Sequence, residues 1–279
     1  MEKLKCTLEE THLVLHVRAG PEWFGAALRK ARGLSAGLNK ATTAWTGPEN
    51  YEEDFFKIFS RRLAMTGEAF YAFPKEAIFR DLKARALLRG VHLSSSQDMD
   101  ELSPAQMRNL MLPPSGCAHW AQHDAIRQSA IAGNPPIPGD SWFADLEQGR
   151  DGPSTPGPLL PSCLKHFTIW SYEKNRRLLG MEALQAHGWH LSEEYSHKFR
   201  SNLAPYFETL SEAHLQRLTG NGYALMVQSA WYLYVLSNTI KMDRRITFTR
   251  SLTWERKGAS RSFDDESDER DSDMPDKFA

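Results

Sequence analysis

The stretch Leu218-Thr219-Gly220-Asn221-Gly222 decides the fold on the C-terminal side of this 279-residue chain. Residues 222–241, which follow directly, are predicted to form a long amphipathic helix. Its inward residues recur at three- and four-residue steps: Ala224, Val227, Trp231, Tyr234, Val235 and Asn238. A Gly-Asn-Gly turn before a helix exposes backbone amides at the helix start, which favours an anionic or polar ligand. The alternative is an ordinary turn.

A second informative segment, Arg176-Arg177-Leu178, lies upstream, with Glu182 and Gly188-Trp189 at fixed intervals after it. Residues 178–187 are predicted to form a short helix that a glycine ends and an aromatic residue packs beneath. An arginine just before such a helix can hold the neighbouring region by bridging carbonyls and carboxylates. The alternative is an ordinary helix with a capped end.

Three basic residues, Arg29, Lys30 and Arg32, form a turn after Gly25, a residue that permits a tight backbone. Alternating apolar and polar residues predict a strand over 11–17, and a second short strand is expected over 34–38. The basic side chains would then lie at one end of a sheet. Because arginine grips a phosphate or a base edge through its planar fork, the turn is a DNA-binding candidate. The alternative is a solvated loop.

Taken in the order of the chain, the segments resemble the C-terminal part of cytosine-5 DNA methyltransferases: a motif VIII-like turn, a target-recognition region, and motifs IX and X. Arg32 stands at the turn's second arginine and Lys30 at its first, while Ala27 and Leu28 replace the family's Pro-Gln. The resemblance implies DNA contacts by Arg29, Lys30, Arg32 and Arg176. It also implies that the S-adenosylmethionine site is edged by Gly220, Asn221 and Gly222.

Several parts of such an enzyme are missing from the sequence. It contains no glycine-rich cofactor loop and no Pro-Cys nucleophile loop, and Cys163 follows Pro-Ser in the wrong order to be the nucleophile. Glu49-Asn50 comes after the basic turn, whereas the family places its Glu-Asn pair before it. The resemblance therefore implies a chain without the catalytic N-terminal part. It would use S-adenosylmethionine only when completed by a separate catalytic polypeptide, and would not methylate alone.

The predicted fold class is α/β: partial remnants of an S-adenosylmethionine-dependent methyltransferase sheet with a helix-rich insertion, and helix content well above strand content. Residues 1–45 are interpreted as a strand-loop-strand remnant of the catalytic domain, and 46–160 as a helix-rich target-recognition-like region ending in a Pro/Gly-rich linker. Residues 161–243 would return to the catalytic domain. Residues 244–279 are expected to be a disordered acidic tail.

Within these regions, helices are predicted over 51–65 and 74–90, after the Ser-Pro-Ala-Gln capping signal that begins at Ser103, and over 119–131. Residues 133–162 hold seven prolines and form the clearest loop, which we interpret as a domain boundary. A strand is predicted over 164–171.

The formal net charge of −1 hides an uneven distribution. Residues 263–279 hold eight acidic and two basic side chains, while the remaining 32 basic and 27 acidic residues give the body a charge of +5. A modestly basic body is compatible with double-stranded DNA as a partner. Candidates for phosphate contacts in the middle of the chain, or else plain surface charges, are Arg61, Arg62, Arg80, Lys83, Arg85 and Arg89.

Other classes of protein are not favoured. No run of 18 apolar residues is present and the N-terminus lacks a secretory pattern, so we expect no membrane partner. Three widely spaced cysteines favour reduced thiols in an intracellular protein, and the DNA resemblance favours the nucleus. Cys117, His119 and His123 have no fourth ligand at a usual spacing, so no metal site is expected.

Two alternatives to a methyltransferase-like subunit remain open. One is a non-catalytic DNA-binding module descended from such an enzyme. The other is an interaction protein with no nucleic-acid role, using its helical middle and acidic tail. Because the sheet would lack half of its strands, we also expect exposed apolar surface, and therefore aggregation or obligate partnership.

Overall fold

The computed structural model describes residues 8–93, 101–133, 141–148, 154–189, 191 and 203–242. These residues all fall within the unit Met1–Met242. The predicted acidic tail at 244–279 lies outside the described residues, as do parts of the proline-rich loop.

Helices and short strands alternate along the described ranges. The main helices are α1 (Tyr51–Phe59), α2 (Lys75–Leu88), α3 (Pro104–Met111), α4 (Pro114–Gly133), α5 (Gly180–Ala186), α6 (Ala204–Glu208), α7 (Glu212–Asn221) and α8 (Leu225–Ser237). The strands are β1 (His12–Ala19), β2 (Arg32–Asn39), β3 (Thr43–Trp45), β4 (Ser141–Asp145), β5 (Ser154–Gly157), β6 (Ile169–Ser171), β7 (Arg176–Arg177) and β8 (Thr239–Lys241).

An antiparallel hairpin of β1 and β2 forms the N-terminal sheet, with Val17 opposite Leu34. Residue alternation turns Leu15 and Val17 of β1 into the core, where they meet Phe55 of α1 and Trp231 of α8. The strand predicted from alternation over 11–17 and the second strand expected over 34–38 are both confirmed, and both are longer than predicted.

The second sheet joins distant parts of the chain, because β3 pairs antiparallel with β8. Trp45 lies opposite Thr239 in this ladder. The prediction of one helix over 222–241 is therefore wrong at both ends: α8 begins at Leu225 and stops at Ser237. β-branched Thr239 and Ile240 favour an extended backbone, and the pairing with β3 supplies its hydrogen bonds.

The predicted helices of the middle region are confirmed, with corrected ends. α1 is shorter than predicted because Ser60 turns the backbone to an extended conformation. The capping box before α3 is present: Ser103 Oγ accepts from Gln106 N at 3.2 Å, and Gln106 Oε1 accepts from Ser103 N at 2.8 Å. α4 starts five residues earlier than predicted, at Pro114, since proline suits the first turn of a helix.

A four-stranded antiparallel sheet has the order β5-β4-β6-β7. The interpretation of residues 133–162 as a structureless loop is wrong, because β4 and β5 lie within that range. Alternation could not reveal β4, since all five of its residues are buried. The predicted strand over 164–171 is confirmed only in its last part, as β6. Strands from both sides of residue 160 share this sheet.

The fold is thus a mixture of helices and small antiparallel sheets, with more helix than strand, as predicted for the coarse class. Membership of a methyltransferase fold stays a prediction. Among the described residues, no helix has the length and apolar character needed to cross a bilayer.

Candidate functional site

The three segments singled out by the sequence meet around α7. Residues of the basic turn bind the C-terminal end of this helix across a separation of 189 positions. At the other end of α7, Glu212 contacts Arg177 and Gly180. Segments that are remote in sequence therefore form one connected assembly.

The basic turn is held by backbone contacts on both sides. Gly25 has a φ of +87°, and a Cβ there would come within 2.9 Å of Arg62 O. Arg61 N donates to Trp23 O at 2.9 Å, and Arg29 N donates to Leu160 O at 3.0 Å. These contacts fix the direction of each basic side chain in the turn.

Lys30 points inward and is only 3% exposed. Its ammonium group donates to Cys163 O at 3.1 Å, to Gly220 O at 3.2 Å, and to Thr219 O. Burial, as the largest cause, lowers the pKa of Lys30 to about 8. Arg32 Nη2 donates to Gly220 O at 3.2 Å as well. Both cations therefore bind backbone carbonyls that the helix itself leaves unpaired at the C-terminal end of α7, where the helix dipole is negative.

The Gly-Asn-Gly segment lies at the end of a helix rather than at its start, which corrects the prediction. The groups presented there are carbonyls, so the argument for an amide-lined anion site does not apply. Gly220 is required by packing, since a Cβ would lie 2.4 Å from the Lys165 backbone. Gly222 is also confined, with Leu218 O 2.7 Å from an added Cβ.

Beside this segment is an open hollow of about 460 Å³. Its lining is mostly apolar and includes two of the predicted cofactor residues: Tyr206, Leu210, His214, Arg217, Leu218, Asn221 and Gly222. Asn221 is exposed here, so its amide can donate to and accept from a ligand. The sequence interpretation missed Tyr206, His214 and Arg217. Their only signal is helical spacing in α6 and α7, which says nothing about a ligand.

Arg176 forms a buried ion pair with Glu182. Nη1 and Nη2 donate to the two carboxylate oxygens at 2.8 Å and 2.6 Å, and the guanidinium lies over the Tyr71 ring at 4.8 Å. Glu182 also accepts from Phe73 N at 3.1 Å and from Leu179 N at 2.9 Å. This arrangement pins the segment around Phe73 to the start of α5.

The same geometry bears on the predicted DNA contact. Arg176 is 6% exposed and its fork is occupied by a carboxylate, so the side chain cannot reach a phosphate in this conformation. A direct DNA contact by Arg176 stays a prediction that this geometry does not support. In the structure Arg176 is a positioning residue, because it holds the Glu182 carboxylate that binds Phe73 N and Leu179 N.

Arg177 received no role of its own in the sequence analysis, yet it links three elements. Its guanidinium contacts Glu212 at the start of α7, and its Nε lies 3.9 Å from Asp81 Oδ2 of α2. Glu212 also accepts from Gly180 N at 2.9 Å. Burial raises the pKa of both Asp81 and Glu212, and the Arg177 charge opposes that rise.

Among the predicted basic-turn residues, Arg29 is exposed, whereas Lys30 is buried and Arg32 is partly buried. Arg61 and Arg62, which are also exposed, lie on the segment that hydrogen-bonds to the turn. We call Arg29, Arg61 and Arg62 the basic surface. Arg61 donates to Ser60 O and Ile58 O, which steadies its guanidinium.

Three of the other basic candidates of the middle region contact groups of the protein itself. Arg85 pairs with Asp81 on α2, and Lys83 lies 4.4 Å from the Phe79 ring centroid. Arg89 Nη1 donates to the carbonyls of Asn109 and Leu110. Arg80 is exposed.

Cys163 was considered as a nucleophile and His119 as a metal ligand, and the surroundings of both side chains suit a structural role. Burial raises the pKa of the Cys163 thiol to about 12, so the nucleophilic thiolate is scarce near neutral pH. His119 Nδ1 donates to Leu146 O at 2.7 Å. Within the described ranges, no three His, Cys, Asp or Glu side chains come together as metal ligands.

Comparison with models of known protein families gave no match, and neither did comparison with curated protein sequences. The resemblance therefore depends on the three segments themselves and on their contacts around α7.

Proposed function

We propose that this chain is the DNA-contacting part of a cytosine-5 DNA methyltransferase-like enzyme and forms one edge of its S-adenosylmethionine site. It is inactive until a separate catalytic polypeptide completes it. The observation that supports this most is the meeting of the three family-like segments around α7, with Lys30 and Arg32 bound to the Gly-Asn-Gly segment. One shared binding site requires such contact between the segments.

The hollow beside Asn221 fits part of a cofactor. Its apolar lining suits a flat ring, the Asn221 amide suits a polar ring edge, and Arg217 and His214 suit a carboxylate. S-adenosylmethionine, when bound, would supply the methyl group. The hollow is open, so the catalytic partner would provide the other wall and exclude water.

The basic surface is the proposed place of DNA contact. Arg29, Arg61 and Arg62 project from two segments that are hydrogen-bonded to one another, so their charges act together on a phosphate backbone. Lys30 and Arg32 take a positioning role in this proposal, since their donors are bound to carbonyls of α7.

A second candidate is a non-catalytic DNA-binding module. It is favoured by the helix-end position of Gly-Asn-Gly, where the carbonyls are already bound by Lys30 and Arg32. Duplex binding that S-adenosylmethionine does not change would favour this candidate over the split enzyme.

The proposed function is tested with the purified full chain. We expect no methyl transfer from labelled S-adenosylmethionine to duplex DNA, and duplex binding that weakens roughly 40-fold between 50 and 200 mM salt if about three phosphates are neutralised. Robust turnover without a partner would overturn the inactive-subunit proposal. Failure to bind any duplex at low salt would overturn both candidates and favour an interaction protein.

A further inference from the structure

Four side chains in the helical middle form a stack that the proposed function does not use. The Arg108 guanidinium carbon lies 3.9 Å from the Trp120 ring centroid. Trp120 stacks on Tyr172, with centroids 5.7 Å apart and rings inclined by 29°. Arg127 lies over the Tyr172 ring at 5.0 Å. We call these four residues the aromatic stack.

Three elements hold the aromatic stack in place. Arg108 belongs to α3, Trp120 and Arg127 belong to α4, and Tyr172 directly follows β6. The Tyr172 hydroxyl donates to Trp120 O at 3.0 Å, which locks the two rings together. The Arg108 side chain thus has a fixed platform, and less side-chain entropy is lost when it binds a ligand.

The two arginines of the stack differ in their polar contacts. Arg127 is paired with Asp124: its Nε donates to Asp124 Oδ1 at 2.9 Å, and its Nη2 lies 2.8 Å from the same oxygen. Arg108 is partly exposed, and its nitrogens have no hydrogen bond or ion pair with any described residue. A guanidinium whose face is stacked, and whose N–H groups bond to none of the described residues, is prepared for bidentate binding of a phosphate.

We propose that Arg108 binds a backbone phosphate of duplex DNA, with Trp120 as its platform. This inference rests on the proposed DNA-binding function and adds to it a contact on α3, in a region where the sequence offered no motif. The backbone is the target because the Trp120 and Tyr172 rings are engaged with each other and with the two arginines. Little ring surface is left for an unpaired base to stack on.

The test is fluorescence anisotropy with a labelled short duplex and the full chain. Arg108→Gln is expected to weaken binding about fivefold to tenfold and to reduce the slope of log affinity against log salt by about 0.9. Arg127→Gln removes the same charge from the same stack, but Asp124 already neutralises it. Its affinity is expected to change less than about twofold.

The outcomes separate this inference from the proposed function. If the wild type binds the duplex and Arg108→Gln binds with equal affinity and salt slope, the Arg108 contact is overturned while the proposed function stands. If the wild type does not bind the duplex at low salt, both are overturned. Should Arg108→Gln unfold early, Arg108→Lys keeps the charge without the planar fork, and a loss of about twofold to threefold is expected. Unchanged binding by that variant also overturns the contact.

Discussion

Among single residues, the direction of each basic side chain decides what it can bind. Lys30 and Arg32 face the carbonyls at the end of α7, while Arg29 faces solvent. Side chains alternate along an extended backbone, so two residues that are two positions apart turn inward together. The sequence predicts a cluster of positive charge here, and the α7 carbonyls that attract two of its members come from 190 positions away.

The packing of Gly220 against another backbone gives a first prediction. Gly220→Ala places a Cβ 2.4 Å from the Lys165 backbone, where no flexible side chain can move aside, so a loss of about 1–3 kcal/mol is expected in the free energy of unfolding. Gly133→Ala is the control, because nothing lies within 4 Å of an added Cβ at the end of α4. Urea denaturation of both variants measures the difference, and equal stabilities would contradict the placement of Gly220.

His187 gives a prediction for pH. Burial, aided by the nearby Lys30 charge, lowers the pKa of His187 to about 4 from its usual 6.5. Between these values the unfolded chain binds a proton that the folded chain does not, so stability is lost as the pH falls from 6.5 towards 4. The wild type should lose roughly 2–3 kcal/mol more than His187→Gln over this range. Parallel stability-against-pH curves for the two proteins would contradict the buried neutral imidazole.

At the scale of elements, helix α7 organises the site because both of its ends are bound. Arg177 contacts Glu212 at the start of the helix, and Lys30 and Arg32 donate to Gly220 O near its end. The sequence linked the three segments only through a family resemblance and gave no sign of which residues would be in contact. It misplaced Gly-Asn-Gly because glycine and asparagine suit a helix end as well as a turn. The role of Arg176 was easier to predict. Because Glu182 follows it by six residues, the guanidinium on β7 can reach the carboxylate in the first turn of α5.

The ion pair that joins β7 to α5 gives the element-scale prediction. Glu182→Gln leaves the buried Arg176 without a counter-charge, and a loss of about 3–5 kcal/mol is expected. Asp124→Asn is the control, because it breaks a pair whose side chains are about a quarter exposed, for a loss of about 0.5 kcal/mol. Chemical denaturation measures both, and similar losses would mean that Arg176 finds another partner.

At the scale of the whole molecule, the apolar surface is unevenly distributed. Residues 223–240 contain no charged side chain, and one side of α8 is buried against the β1–β2 hairpin. The other side leaves Tyr232, Leu233 and Leu236 of α8 exposed, with Leu236 at 72%, and Ile240 of the following strand β8 is exposed as well. A helix that is apolar all round is usually covered on all sides. Apolar spacing predicted the buried side of α8, whereas the exposed side depends on which elements lie beside it.

This surface gives the last prediction. We expect the wild type to self-associate with rising concentration, and the double variant Leu233→Gln/Leu236→Gln to elute as a monomer with little change in stability. Leu88→Gln is the control, since Leu88 is 87% exposed on α2, outside this surface. Size-exclusion chromatography with light scattering measures the mass of each protein. A wild type that is monomeric at every concentration and unfolds cooperatively would show that the surface needs no cover.

The pairing of β3 with β8 makes Thr43–Trp45 depend on Thr239–Lys241, which lie far along the chain. A shortened product that stops before Thr239 would deprive Thr43–Trp45 of the strand beside it. Trp45 packs against Tyr234 and Tyr51, so its environment would report the loss through a change in its emission. Proteolysis that removes β8 would in this way loosen β3, although the two strands are almost 200 residues apart in sequence.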